Sequence, residues 1–172
     1  SIATPTPAGK IERLPSVSTI ADGIAVKEPG SITFDTCQKY VDDIVTVTDD
    51  EISAAILALI EKQKMISEGA GAVSVAAAMF NKVPVRGKKV VCVVSGGNID
   101  VTILSRVIKR GLLMSGRTCA LNLELVDKPG QLQGVAGIIA GLGGNVISIH
   151  HERANEGADV NGCYLRLLLE TK

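Results

Sequence analysis

A strand pattern that runs through a glycine turn into a helix constrains the fold of this chain most strongly. Residues 88–94 (KKVVCVV) form an apolar, β-branched run of the kind found in strands buried on both faces. The turn SGGN (95–98) follows at once, and residues 99–114 then carry apolar side chains at helical spacing. Strand, glycine turn and helix in this order are typical of α/β proteins.

The residues before this unit predict further elements of the same class. Residues 43–48 (DIVTVT) predict another buried strand. Helices are expected over 31–41, 51–63 and 68–81, the first capped by Ser31 and the second by Asp49, and the third is rich in Ala and Gly. Residues 1–30 hold most of the chain's prolines and predict an extended loop, which suggests that another element precedes them.

The order of elements changes at Ser115 and Gly116. Beyond them the pattern predicts strand, helix, strand and strand, over residues 118–126, 131–142, 146–152 and 161–170. This is the first part of the ferredoxin-like βαββαβ arrangement, ending after its third strand. We therefore expect a fragment whose exposed sheet edge favours self-association into a homo-oligomer.

Charge and composition exclude several classes of partner. Eighteen basic residues balance eighteen acidic ones, without the basic patch of a nucleic-acid binder. No apolar stretch reaches the roughly 20 residues of a membrane-spanning helix. The four cysteines are too widely spaced for a metal motif or a disulfide framework, and His150 and His151 are expected on opposite sides of one strand. The expectation is a cytoplasmic protein without a metal site.

The SGGN turn is a candidate ligand site. It lies at the carboxyl end of a predicted strand, where open α/β sheets bind ligands, and its glycines let the backbone approach a ligand closely. The alternative is that the turn only reverses the chain.

Four segments resemble, in order and spacing, the pyridoxal-phosphate-dependent threonine ammonia-lyases and their serine racemase and serine dehydratase relatives. They are TIADG (19–23), DDIVTVTDDEI (42–52), SEGAGA (67–72) and VSGGNID (94–100). The resemblance implies that residues 1–115 are the C-terminal part of a fold type II α/β catalytic domain that binds pyridoxal phosphate.

The resemblance also implies site residues. Ser95 would hydrogen-bond the pyridine nitrogen, where a neutral hydroxyl, unlike a carboxylate, leaves that nitrogen largely unprotonated. Gly96 and Gly23 would give backbone approach, and Glu68 would lie near the cofactor. The structural alternative for Glu68 is a first-turn residue stabilised by the helix dipole.

In relatives that bind a nucleotide between subunits, the positions matching Lys64 and Asn98 contribute contacts. Lys64 is otherwise an ordinary solvated charge at a helix end.

Residues 116–172 resemble an ACT-type regulatory domain through DKPGQL (127–132), GGNV (143–146) and the order of strands. The resemblance implies an amino-acid effector site near Asp127, Gly130, Gln131 and Asn145, and the helix start could receive a carboxylate. The alternative is that Asp127 caps the helix and Asn145 takes a left-handed turn position.

The family's substrate is threonine, or serine in some relatives, and threonine yields 2-oxobutanoate and ammonia. The lysine that holds the cofactor, in S-x-K-x-R-G, and the phosphate-binding glycine loop are absent from this sequence, so no catalytic residue is expected in it. The alternatives are an amino-acid-sensing module without catalysis and a serine dehydratase or racemase relative. The effector, an amino acid or a nucleotide, stays open.

Overall fold

A computed structural model describes residues 10–153 and 162–171. The chain separates into two compact units, Ser1–Gly111 and Leu112–Lys172. The elements are α1 (Ser31–Tyr40), α2 (Asp49–Ala58), α3 (Gly69–Met79), α4 (Val101–Met114), β1 (Thr118–Val126), α5 (Gln131–Gly141), β2 (Asn145–Arg153) and β3 (Gly162–Glu170). Of the helices in this described part, none is both long and apolar enough to cross a membrane.

The core of the first unit is built from α2 and α3. Ala55 and Ile56 of α2 and Ala72 and Ala76 of α3 are completely buried. The small side chains of Ala55, Ala72 and Ala76 let the two helices approach closely, as the Ala-rich sequence of residues 68–81 predicts for α3. A π-helical turn, Leu59–Gln63, continues α2.

The caps of α1 and α2 differ from those predicted. Thr48, not Asp49, caps α2: its hydroxyl accepts from the Glu51 N–H at 3.2 Å, and the Glu51 carboxylate accepts from the Thr48 N–H at 2.8 Å. This reciprocal pair is a capping box, which satisfies two backbone donors at once. The cap position of α1 is Gly30, so Ser31 is the first helical residue rather than its cap.

The predicted buried strands at 43–48 and 88–94 are wrong for this structure. Neither segment pairs with another among the described residues of the unit. Val91 is 90 % exposed and Val93 69 % exposed. A strand forms only when a neighbour takes up its backbone hydrogen bonds, and an apolar β-branched sequence cannot provide that neighbour by itself. Segment 88–94 instead contacts α3, where the Ser74 hydroxyl donates to the Val93 carbonyl at 2.8 Å.

The second unit is a three-stranded antiparallel sheet in the order β1-β3-β2. The predicted succession of strand, helix, strand and strand is confirmed, although residue 161 lies outside the described residues. Alternate residues of the central strand β3 are buried, beginning with Cys163 and Leu165, and Ile139 of α5 joins the leucines in a core cluster. Polar side chains pair on the other face of the sheet, where the Tyr164 hydroxyl donates to the Glu124 carboxylate at 3.4 Å. The charge of that carboxylate raises the pKa of Tyr164.

Candidate functional site

Three of the residues predicted beside the cofactor come together in the first unit. A Cβ atom built on Gly96 would stand 2.3 Å from Oε1 of Glu68, and one built on Gly23 would stand 3.5 Å from the same oxygen. The Glu68 N–H also donates to the Gly96 carbonyl at 3.2 Å. The half-buried Glu68 carboxylate therefore lies against the backbone of both glycines, and we call Gly23, Glu68, Ser95 and Gly96 the cradle.

The start of α3 is fixed to the SGGN turn by Ser67, a residue that the sequence prediction missed. Its hydroxyl is fully buried and donates to the Gly96 carbonyl at 3.1 Å. A Cβ on Gly71 would lie 2.6 Å from both that carbonyl and the Ser67 hydroxyl. The sequence signal that could have indicated this role is the position of Ser67, a small hydroxyl residue directly before Glu68 and the start of α3.

The loop at 19–23 is held by the beginning of α2 and by α3. The Thr19 hydroxyl donates to Oδ1 of Asp49 at 2.5 Å, and the Ile20 N–H donates to the same oxygen at 3.3 Å. A Cβ on Gly69 would lie 2.2 Å from the Ile20 carbonyl oxygen, so backbone meets backbone here. Asp49, first interpreted as a helix cap, thus orients the loop that carries Gly23.

Ser95 is exposed beside Gly96, and no hydrogen bond from another residue of 10–153 or 162–171 engages its hydroxyl. Lys64 and Asn98 are also exposed. The Lys64 amine donates to the Glu61 carbonyl at 2.7 Å, and Lys64 itself takes a left-handed conformation (φ 57°) where the π-helical turn ends. This geometry is that of a charged residue closing a helix.

In the second unit a pocket opens at the loop between β1 and α5. Asp127, Gly130 and Gln131 line it, while Asn145 is not among its lining residues. Gly130, with φ 89°, occupies the cap position of α5, so Asp127 is not the cap. The Asp127 carboxylate instead pairs with the Arg153 guanidinium at 3.1 Å. Asn145 begins β2 and has no positive φ, unlike Gly143 with φ 78°.

A known protein family matches the sequence of the first unit. The model of the family described as pyridoxal-phosphate dependent enzyme matches residues 1–96, more than half of the chain. The chain belongs to this family, whose cofactor is pyridoxal phosphate.

Within the family the similarity is to threonine ammonia-lyases, as the sequence motifs predict. The L-threonine ammonia-lyase of Thermotoga maritima is 48 % identical over 163 residues, which are 95 % of this chain and 40 % of the relative. That of Geobacter sulfurreducens is 44 % identical over 164 residues, again 95 % of this chain and 41 % of the relative. The chain thus spans about two fifths of the length of these relatives.

Two solved structures, a threonine deaminase and a serine racemase, are similar to part of this chain. Processed threonine deaminase isoform 2 of Solanum lycopersicum superimposes with a TM-score of 0.53 at 37 % identity, over 58 % of this chain and 29 % of that one. Maize serine racemase superimposes with a TM-score of 0.52 at 34 % identity, over 62 % and 35 % of the two chains.

Proposed function

We propose that this chain is part of a threonine ammonia-lyase that removes water and then ammonia from L-threonine to give 2-oxobutanoate. The observation that carries the proposal is the cradle, in which Glu68, Gly96 and Gly23 meet beside Ser95. Support also comes from the identity to L-threonine ammonia-lyases along 95 % of the chain.

The residues of the cradle fit a cofactor with a planar ring and a hydrogen-bond acceptor. Because Gly96 and Gly23 have no side chains, the Glu68 carboxylate can lie against their backbone, and the exposed Ser95 hydroxyl beside them is a donor without a partner among the described residues. When bound, pyridoxal phosphate supplies an electron-withdrawing ring that stabilises negative charge on the amino acid.

Ser95 would donate to the ring nitrogen and orient the ring. Because a hydroxyl is neutral, it does not hold a proton on that nitrogen as a carboxylate would, which favours loss of the β-hydroxyl over transamination. Glu68 would place its side chain beside the cofactor, next to Gly96. We assign no proton-transfer step to this chain.

We propose a regulatory role for the second unit, as an ACT-type domain over residues 116–172 that follows a catalytic part over residues 1–115. Asp127, Gly130 and Gln131 line a pocket that also contains Lys128 and Arg153. These cations and the first N–H groups of α5 suit the carboxylate of an amino-acid effector.

Assembly and the remaining effector contacts belong to the same proposal. The strands β1 and β2 are the edges of the sheet, and an exposed edge favours a homo-oligomer in which Asn145 faces a second subunit. Lys64 and Asn98 are the candidates for contacts to a nucleotide effector. The wide spacing of the four cysteines in the sequence suits a reducing cytoplasm, which is the location we propose.

The test is turnover by the full-length protein loaded with pyridoxal phosphate. The release of 2-oxo acid from L-threonine and L-serine is measured at equal concentrations. We expect threonine to be the better substrate; a protein that deaminates neither amino acid would refute the proposal, and a clear preference for serine would favour the serine dehydratase alternative.

The sensor alternative has its own experiment. The 172-residue chain is titrated with isoleucine and valine by calorimetry, without cofactor. Saturable binding together with no turnover by the full-length protein would favour an amino-acid-binding module without catalysis.

A further inference from the structure

Three side chains with metal-binding atoms meet at one end of the sheet of the second unit. They are Asp127, His151 and Cys163, and a carboxylate oxygen, an imidazole nitrogen and the thiol sulfur all lie within 4.8 Å of one another. All three line the pocket beside the β1–α5 loop. From their positions we infer that they form a binding site for a transition-metal ion of the Zn²⁺ class.

The strand order brings them together. On the central strand, Cys163 lies opposite Leu125 of β1 on one side and Arg153 of β2 on the other. Asp127 follows Leu125 by two residues, and His151 precedes Arg153 by two. Since side chains alternate between the faces of a sheet, all three ligand residues belong to the face of Cys163.

The donor set selects the metal. A thiol, an imidazole and a carboxylate are ligands that suit Zn²⁺ and its neighbours, whereas Ca²⁺ and Mg²⁺ require oxygen ligands throughout. Cys163 is only 2 % exposed, and the other two residues are exposed. The sulfur would therefore bind from the floor of the pocket and the other two groups from its rim.

The separations suit a tetrahedral ion after small side-chain rotations. With metal–ligand bonds of about 2.0–2.3 Å, neighbouring ligand atoms of a tetrahedron stand roughly 3.5 Å apart. The two exposed side chains can close the remaining gap by rotation because neither is packed in a core. A fourth position would stay open toward the pocket for water or another ligand, as in zinc sites with three protein ligands.

Arg153 would compete with a metal ion for the Asp127 carboxylate. Its guanidinium lies 3.1 Å from Oδ2 of Asp127, and its side chain is 80 % exposed. A metal cation on that carboxylate would repel the positive guanidinium of Arg153, so metal binding should break the ion pair. The site and the ion pair are thus alternative states of Asp127.

The proposal is tested by titrating the 172-residue chain with Co²⁺, a spectroscopic substitute for Zn²⁺. We expect a saturable near-ultraviolet thiolate-to-cobalt band that is lost when Zn²⁺ is added. The H151A and D127N variants should bind at least roughly 10-fold more weakly, since even loss of an outer-shell partner costs ~10–100-fold. The R153A variant should bind more tightly than the unmodified chain.

Matched controls separate this site from nonspecific binding. H150A removes the neighbouring imidazole. His150 lies opposite Arg166 in the strand register, on the other face of the sheet, so this variant should leave the affinity unchanged. C163S should abolish the band, while C37S, at an exposed cysteine of the first unit, should keep it. Because C163S alters a buried residue, circular dichroism must show that it folds; the exposed His151 provides the test that does not depend on this.

Equal weakening by H150A and H151A, a band that persists in folded C163S, or no saturable band would overturn the inference. None of these readouts depends on threonine turnover, so the metal site and the proposed enzyme activity are tested independently.

Discussion

Gly71 and Gly96 are in backbone contact: a Cβ atom on Gly71 would stand 2.6 Å from the carbonyl oxygen of Gly96. The first turn of α3 can therefore reach the SGGN turn only if residue 71 has no side chain. This contact holds Glu68, the cap residue of α3, against the turn that carries Ser95.

The G71A substitution should destabilise the first unit. Two of the three clashing atoms, the carbonyl oxygen and the nitrogen of Gly96, belong to the backbone and cannot rotate away. We therefore expect a loss of about 1–3 kcal/mol in the free energy of unfolding, as for other overpacked sites. Urea unfolding followed by circular dichroism measures it. The matched control is G134A on α5, where a Cβ meets nothing within 4 Å and the substitution should stabilise by ~0.4–1 kcal/mol. Equal effects of the two substitutions would contradict this account.

Removal of the capping box should weaken α2. In T48A the Glu51 N–H loses its acceptor, and we expect unfolding to become easier by about 1 kcal/mol. The control is T36A, whose hydroxyl donates to the Ile32 carbonyl within α1 and caps nothing. Thermal unfolding should show a lower Tm for T48A alone; a similar decrease in T36A would mean that the cap is unimportant.

Local sequence patterns predicted those helices and strands whose formation depends mainly on residues close together in the chain. The β1 strand has the predicted bounds because its polar and apolar residues alternate, and the Ala-rich pattern of α3 is equally local. The cap of α2 was misplaced by one residue, although Thr48 and Glu51 have the spacing of a capping box. Adjacent Thr and Asp are both good caps, so only that spacing could have decided between them.

Features that depend on distant residues were not predictable from local patterns. Segments 43–48 and 88–94 have strand sequences, but pairing needs a partner that no local pattern reports. The family resemblance implies that Glu68 and Gly96 each lie beside the cofactor, but the contact between them was not predicted. The meeting of His151 and Cys163 depends on strand register, which the sequence does not display.

Acid should weaken the contact between α2 and the segment after α3. Hydrogen bonds from Lys82 and from the Thr48 backbone lower the pKa of Glu51 from its ordinary value of 4.5. Because the folded pKa lies below the unfolded one, this stabilisation is complete above pH ~4.5 and is lost as the pH falls through the folded value.

Two substitutions test this pH dependence. E51Q and K82M each remove one partner of the 2.8 Å ion pair, so both should be less stable at neutral pH and lose less stability on acidification. The measurement is Tm between pH 7 and pH 3. Variants that keep the full acid dependence would show that other carboxylates cause it.

Ser95 should matter for cofactor orientation in the full-length protein. In S95A the ring nitrogen loses its donor, and we expect kcat/KM for threonine to fall roughly two- to tenfold, the equivalent of about 0.5–1.5 kcal/mol for one hydrogen bond. S95D should fall further, because a carboxylate holds the nitrogen protonated and favours transamination over loss of the hydroxyl. The control is S105A, an exposed serine on α4, which should leave turnover unchanged. If S95A behaves like S105A while the cofactor stays bound, the hydroxyl does not contact the ring, and the cradle positions the cofactor through Gly96 and Glu68 instead.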